Sequence, residues 1–347
     1  MSAEDMRAHS GAGKPAVTIY DIARITGFSP STVSRALHKP GRVGEATAKA
    51  VRTAAESLGY RINPIARFVT TGRTGTVALV VSDITNPVFF DLVRGSERTT
   101  AIEGQTLVIA ETYASRDIEQ QTVEKLLPTV DGIILASSRL EPDQIRGFAT
   151  QKNVVLVNRM VEGVPSVVPQ LQPGIRAAVD HLVGLGHDSL CYLAGPSALW
   201  MSRQRLKLLQ QEAERAGVSL VATNPAEPTM EAGRLAIEEV LSTGATGVFA
   251  YNDLMAIGLL LACSDKGIAV PEKLSIIGFD DIFGSAFTSP PLTTIRTPLA
   301  LVGEEAVRRL TGIQPEENTA ITGSLQTEFI LRGSTGRSPK TKLDTSP

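Results

Sequence analysis

Eight short apolar runs recur between residues 76 and 281: TVALVVSD, TLVIAETY, GIILASS, VVLVNRM, SLCYLAG, SLVATNP, GVFAYND and LSIIGFDD. Most are followed by a stretch compatible with a helix, the pattern of parallel strands joined by crossover helices. That pattern confines residues 76–333 to an α/β body of two lobes, in which a ligand binds in the crevice outside the carboxyl ends of the strands. Polar residues gather at those ends: Asp83, Asn86, Glu111, Ser137, Arg139, Asn158, Arg159, Asn252, Asp253, Asp280 and Asp281. Turn and capping duty is the competing explanation for part of this set.

Charge is distributed unevenly along the chain. From Lys14 to Arg73 ten basic residues face three acidic ones, a local charge of +7 that leaves −9 for the remainder of a chain whose total is −2. A basic head on an acidic body attracts phosphates at one end only. Within that head, VTIYDIARITGFSPSTVSRALHKPGRVGEATAKAVRTAAESLGY predicts three short helices. Thr18 and Asp21 have the spacing of a capping box, and Ile19, Ile22, Ala23 and Ile25 form an apolar stripe. Gly27 ends the first helix. Ser29 is suited to cap the second and Pro30 to open it, where a missing N–H costs nothing. Val33, Ala36 and Leu37 then point inward and leave Ser31, Thr32, Ser34 and Arg35 outside. Ala48, Val51, Ala54, Ala55 and Leu58 form the inward face of a third helix.

Two short helices joined by a tight turn and braced by a third form a helix-turn-helix, whose second helix enters the major groove. Its hydroxyls can reach phosphates or bases, and Arg35 can bridge O6 and N7 of a guanine. A small helical bundle with a solvated face is the alternative.

The motifs VTIYDIARITGFSPSTVSRAL, LGYRINPIARFVTTGRTG, DITNPVFFDLVRG, DGIILASS, YNDLMAIGLL and GFDDIFGSAFTSPPLTTIRTP occur in the order and spacing of the LacI/GalR family of bacterial transcriptional repressors. The chain resembles that family from about Val17 to Gly333. The resemblance implies a periplasmic-binding-protein-like body behind the helix-turn-helix head. It further implies a homodimer on a pseudo-palindromic double-stranded operator, and a small-molecule effector, a sugar, sugar derivative or polyol, bound between the lobes. The implied DNA contacts are Thr18, Tyr20, Ser29, Pro30, Ser31, Thr32, Ser34 and Arg35 in the head. Asn63, Arg67 and Val69 follow in NPIARFV, a hinge implied to become helical on DNA and to wedge Val69, where the family usually has leucine, into the minor groove. The implied effector contacts are Phe89 from the first lobe and Arg205, Asn252 and Asp280 from the second; the strand-end residues Ser137 and Arg139 and the sole tryptophan, Trp200, are further candidates. An arginine, an amide and a carboxylate in one cleft suit vicinal hydroxyls. Trp200 could stack on a sugar face or simply pack within its lobe. Leu208 and Leu209 stand where the family often has a glycine–aromatic pair, and Gln170 and Gln172 where it has an acidic or amide stretch.

The expected partition is a disordered extension over 1–16, a headpiece over 17–62, a hinge and linker over 63–75 and a body over 76–333. Its first lobe takes 76–167 and 298–322, its second 168–297 and 323–333, and a disordered tail fills 334–347. Other classes fit less well. No signal peptide or membrane span is legible, which points to the cytoplasm and away from a transport receptor. Enzyme activity is not expected, because no P-loop, dinucleotide fingerprint or nucleophile–base arrangement is visible, and adjacent Asp280 and Asp281 on an extended strand would face opposite ways. Cys191 and Cys263 lie in apolar contexts without metal-ligand spacing, so buried free thiols are expected, with no metal and no cofactor.

Overall fold

The computed structural model describes residues 17–38, 41–60, 72–312 and 325–339, and the chain divides into two compact units, up to Thr74 and from Gly75 onward. In the first unit, helices α1 (Ile19–Thr26), α2 (Pro30–His38) and α3 (Glu45–Ser57) surround a small core of Ile22, Ala23, Val33, Ala36, Val51, Ala54 and Ala55. The capping box at Thr18 is present: the Asp21 carboxylate accepts from the Thr18 N–H at 2.9 Å and from its hydroxyl at 2.8 Å. Gly27 ends α1 at φ 72°, a left-handed turn that glycine adopts without steric cost. The Ser29 hydroxyl caps α2 by accepting from Thr32 N at 3.2 Å. Ile25 departs from the expected apolar stripe and is 58% exposed. An eight-residue helix with one packed side buries only the positions that meet its two neighbours, and Ile22 and Ala23 take that place.

The second unit holds two sheets. In the first, β1 (Thr76–Val81), β2 (Thr106–Glu111), β3 (Gly132–Ala136), β4 (Asn153–Val157) and β5 (Ser166–Val167) run parallel in the order β2-β1-β3-β4-β5. Val77, Leu79 and Val81 enter one core cluster while Ala78 and Val80 enter another, so β1 is buried on both faces. This is why its sequence is continuously apolar rather than alternating. In the second sheet, β6 (Ser189–Leu193), β7 (Ser219–Ala222), β8 (Gly247–Ala250), β9 (Ser275–Asp280), β10 (Thr293–Arg296) and β11 (Glu328–Ile330) lie in the order β11-β10-β9-β8-β6-β7. Among the described strands of this sheet β11 pairs antiparallel, with β10, and the others pair parallel. All eight apolar runs are strands. The brief β5, β10 and β11 carry too few apolar residues to stand out in the sequence.

Helix α4 (Val88–Ile102) of the first lobe packs against α12 (Leu299–Thr311), which the chain reaches after leaving β10 of the second sheet. The lobes are therefore exchanged in sequence. Next to that crossing, Gln170 N donates to Leu325 O at 2.8 Å and Thr327 N donates to Gln170 O at 3.0 Å, so two further crossings lie side by side. Gln172 does not face a cleft: its amide donates to Glu212 at 3.0 Å within the second lobe.

The expected tail from residue 334 is corrected over Ser334–Pro339. Ser334 and Ser338 are buried, Ile276 N donates to Ser334 O at 2.8 Å, and Ser338 N donates to Leu185 O at 2.9 Å. A polar strap whose backbone is bonded to the start of β9, inside the sheet, and to Leu185 is structure, which composition alone cannot reveal. Both cysteines are buried and free, and burial pushes each thiol up to about 11. The expectations for 1–16, the hinge from 63 to 71, residues 313–324 and 340–347 lie outside the described residues.

Candidate functional site

In the head, the described residues expected to meet DNA sit at the amino end of α1 and along the first two turns of α2. Tyr20 is 68% exposed, and Thr18, Ser29, Ser31 and Arg35 are exposed, with Pro30, Thr32 and Ser34 half-buried. Ser29 Oγ lies 2.9 Å from both Ser31 Oγ and Thr32 Oγ1, a hydroxyl cluster on the first turn of α2. The Arg35 guanidinium folds back on that turn, donating to Ser31 O at 3.2 Å and Thr32 Oγ1 at 3.4 Å. Such weak self-contacts are easily exchanged for a base or phosphate. Asn63, Arg67 and Val69 lie outside the described residues.

In the body, both sheets reverse their order of addition beside the first strand, between β1 and β3 and between β6 and β8, and the crevice there opens at the strands' carboxyl ends. Arg205, on α8 (Trp200–Ala216), lies beneath the second sheet's crevice with its side chain 6% exposed. Its Nη2 donates to Asp280 Oδ1 at 2.7 Å, and its Nη1 donates to Tyr251 O. The guanidinium also covers the Phe279 ring at 3.7 Å and the Tyr251 ring at 4.8 Å. Burial works against its charge, but the Asp280 carboxylate together with the neighbouring Tyr251 and Tyr192 pushes Arg205 above its ordinary value. Its Nε is buried without a hydrogen-bond partner. Gly195 is required next to this cluster, since a Cβ there would come within 2.4 Å of the Tyr251 ring.

Asn252 caps α11 (Asp253–Asp265), accepting from Met255 N at 2.9 Å, while its amide donates to Pro228 O at 3.1 Å. One amide hydrogen is left for another acceptor. Asp253 is fully buried, and its carboxylate accepts from Thr294 at 2.6 Å, Ser285 at 2.6 Å and Ile282 N at 2.9 Å. Burial, aided by the nearby Asp280, pushes its carboxyl up to about 7.

Asp280 and Asp281 are not two residues of one extended run. They turn through φ 106° and 59°, and each enters a separate ion pair, Asp280 with Arg205 and Asp281 with Arg296 at 2.7 Å and Arg332 at 2.6 Å. The two carboxylates are kept apart by this left-handed turn and not by the alternation of an extended strand.

The first lobe contributes differently from expectation. Phe89 is buried in the first-lobe core, whereas its neighbour Phe90 lines a cavity of about 230 Å³ with Pro87, Val88, Asp91 and Arg94. Asp280, Asp281, Ile282, Phe283, Thr297 and Leu299 complete that cavity. Phe90 stacks on Phe283 with ring centroids 6.4 Å apart. Ser137 holds φ 53° after β3, and its N–H donates to Val157 O at 2.9 Å. Arg139 reaches the second lobe, where it pairs with Glu227 at 3.2 Å. Trp200 is half-buried against the second-lobe core. Tyr251, Phe90, Phe283 and Glu227 were not singled out from sequence. For Tyr251 a signal existed: it directly precedes Asn252 in a motif already marked for binding.

A two-lobed α/β body with a charged crevice at the ends of its strands, carried in one chain with a helix-turn-helix, defines the class of ligand-responsive DNA-binding regulators. Comparison with known proteins identifies the family. Residues 18–63 match the model of bacterial regulatory proteins of the lacI family, and residues 179–335 match that of the periplasmic binding protein-like domain. The chain is 34% identical over 337 residues to the HTH-type transcriptional repressor CytR of Escherichia coli K12, covering 93% of this chain and 98% of that one. It is 33% identical over 299 residues to the HTH-type transcriptional regulator GalR of the same organism, covering 83% and 87%. Among solved structures, the lac repressor dimer bound to operator and the anti-inducer ONPF superimposes with a TM-score of 0.78 at 24% identity, covering 92% and 99%. A complex of the regulator CelR with cellobiose superimposes at 0.65 and 27% identity, also covering 92% and 99%. The chain belongs to the LacI family of transcriptional regulators, and like its relatives it is a DNA-binding regulator rather than an enzyme.

Proposed function

We propose that this protein is a cytoplasmic repressor that holds a pseudo-palindromic operator as a homodimer and releases or tightens its grip when a sugar, sugar derivative or polyol binds between the lobes. The observation that carries this reading is the buried Arg205–Asp280 pair at the crevice, with Arg205 Nε left without a partner. A charged pair costs desolvation unless its remaining hydrogen bonds are met. Vicinal hydroxyls supply donors and acceptors at the matching spacing. Asn252, with one amide hydrogen free, and Trp200, at the start of the helix that carries Arg205, are assigned to the same ligand. Ser137 and Arg139 close it from the first lobe. Of the two first-lobe phenylalanines, Phe90 rather than Phe89 supplies the ring, because Phe89 is committed to the core. The cellobiose complex of CelR supports a sugar as the ligand class.

In the head, Ser29, Ser31, Thr32, Ser34 and Arg35 read the major groove, with Thr18, Tyr20 and Pro30 against the backbone. Asn63, Arg67 and Val69 are assigned to the minor groove. The test is the thermal unfolding midpoint of the full chain against sugars, polyols, sugar phosphates and nucleobases, with Asp280→Asn alongside. A ligand of the folded state raises the midpoint with its occupancy. A rise lost in Asp280→Asn supports the assignment, and a flat response across the panel refutes it.

A further inference from the structure

Among the described residues, the stack of Phe90 on Phe283 and the ion pair of Arg139 with Glu227 join the lobes across the crevice. The two partners of the ion pair are built differently. Arg139 follows β3, its side chain is 18% exposed, and its backbone is fixed on both sides. Its N–H donates to the buried carboxylate of Glu119 at 2.8 Å, and its carbonyl accepts from Arg116 Nε at 3.1 Å. Glu227 lies between β7 and α9 (Met230–Leu235), and its side chain is 60% exposed. The residue after it, Pro228, accepts the Asn252 amide, so the Glu227 loop is tied to the same side chain that caps α11 in the crevice. Arg139 Nε is buried with no partner, so Glu227 engages this guanidinium through one edge only.

We propose that Glu227 is a latch residue: its ion pair with Arg139 holds the two lobes together in the ligand-free protein and so sets how readily the crevice opens. Its regulatory meaning rests on the crevice being the effector site. The apparent affinity of a ligand falls as the fraction of protein in the competent arrangement falls, so Glu227, itself outside the ligand contacts, tunes the response through its pair with Arg139. Because Glu227 is solvated, the pair is of modest strength and is screened by salt.

Hydrogen-exchange mass spectrometry on the full chain, without any effector, tests this at low salt and at about 1 M salt. Glu227→Gln is expected to speed exchange roughly two- to fivefold in segments facing the crevice from both lobes, 84–91 and 282–287 included, as well as 224–229. Wild type at high salt should approach the variant. Arg139→Gln should reproduce the effect, and the double variant should be no faster than either single one, because both remove the same interaction. Unchanged exchange, acceleration confined to 224–229, or additive single effects would each overturn the proposal. The experiment contains no effector, so its failure is distinct from a flat ligand panel, which would instead remove the effector assignment.

Discussion

Arg205 is where burial, charge and aromatic packing meet in one side chain. Replacing Asp280 with asparagine removes the carboxylate that offsets burial of the guanidinium, so ligand binding should be lost and the unfolding midpoint lowered by the equivalent of about 3 kcal/mol or more. Gly195→Ala acts on the same cluster from the other side. The new Cβ must displace the Tyr251 ring that lies under Arg205, and overpacking of this kind costs about 1–3 kcal/mol. Calorimetry measures the stability, and a parallel titration should show ligand affinity falling as well. In the head, Arg35→Ala should relax base discrimination by about 1–3 kcal/mol, the value of a bidentate contact. Binding isotherms on operator and random DNA check this, since equal weakening on both would make Arg35 a phosphate contact.

At the scale of elements, the two lobes use the same device: helices brought together on glycine. A Cβ on Gly95 of α4 would lie 2.0 Å from Ala300 O of α12, and one on Gly258 of α11 would lie 1.9 Å from Met230 O of α9. Gly258→Ala must therefore push whole helices apart, and soluble expression together with unfolding in denaturant should reveal a severe loss. The terminal strap offers a pH test. His187 bridges Thr246 Oγ1 at 2.8 Å and Gly336 O at 3.0 Å, and burial holds its pKa below the ordinary value of 6.5. A depressed histidine contributes stability that is present above the unfolded value and lost as pH falls below about 6.5. Asp253 runs the other way: with its pKa raised to about 7, its contribution is present below the unfolded value and lost as pH rises toward 7. The informative quantity is thus the difference between wild type and His187→Gln, which should shrink as pH is lowered from 7 to 5 in thermal melts.

At the scale of the whole molecule, the division at residues 74 and 75 separates a small helical unit with its own core from a body whose two sheets have theirs. Deleting residues 1–75 should leave the body folded and ligand-responsive but unable to bind DNA. Circular dichroism, the ligand melt and an operator gel shift check these three outcomes. Within the body the chain crosses between lobes after β5, after β10 and before β11. Crossings gathered in one place allow the lobes to move as bodies, which is the arrangement needed for a ligand between them to act at a distance.

Whatever depends on near neighbours in the chain is already written in the order of residues. Strands buried on both faces are continuous apolar runs, so all eight were legible, and the capping chemistry of Thr18, Ser29 and Pro30 lies within three or four residues. Arg205, Asn252 and Asp280 came from the family resemblance of their motifs, and the structure places Arg205 and Asp280 in one ion pair and Asn252 at the start of α11. Tertiary structure alone decided what depends on partners distant in sequence. It sent Phe89 into the core and left Phe90 at the cavity, turned Asp280 and Asp281 through left-handed backbone, ordered the strap at Ser334, and brought Arg139 to Glu227 across 88 positions. These outcomes turn on which surface is already occupied when two segments meet, and a hydrophobic or charged side chain specifies only that it needs a partner, not which one.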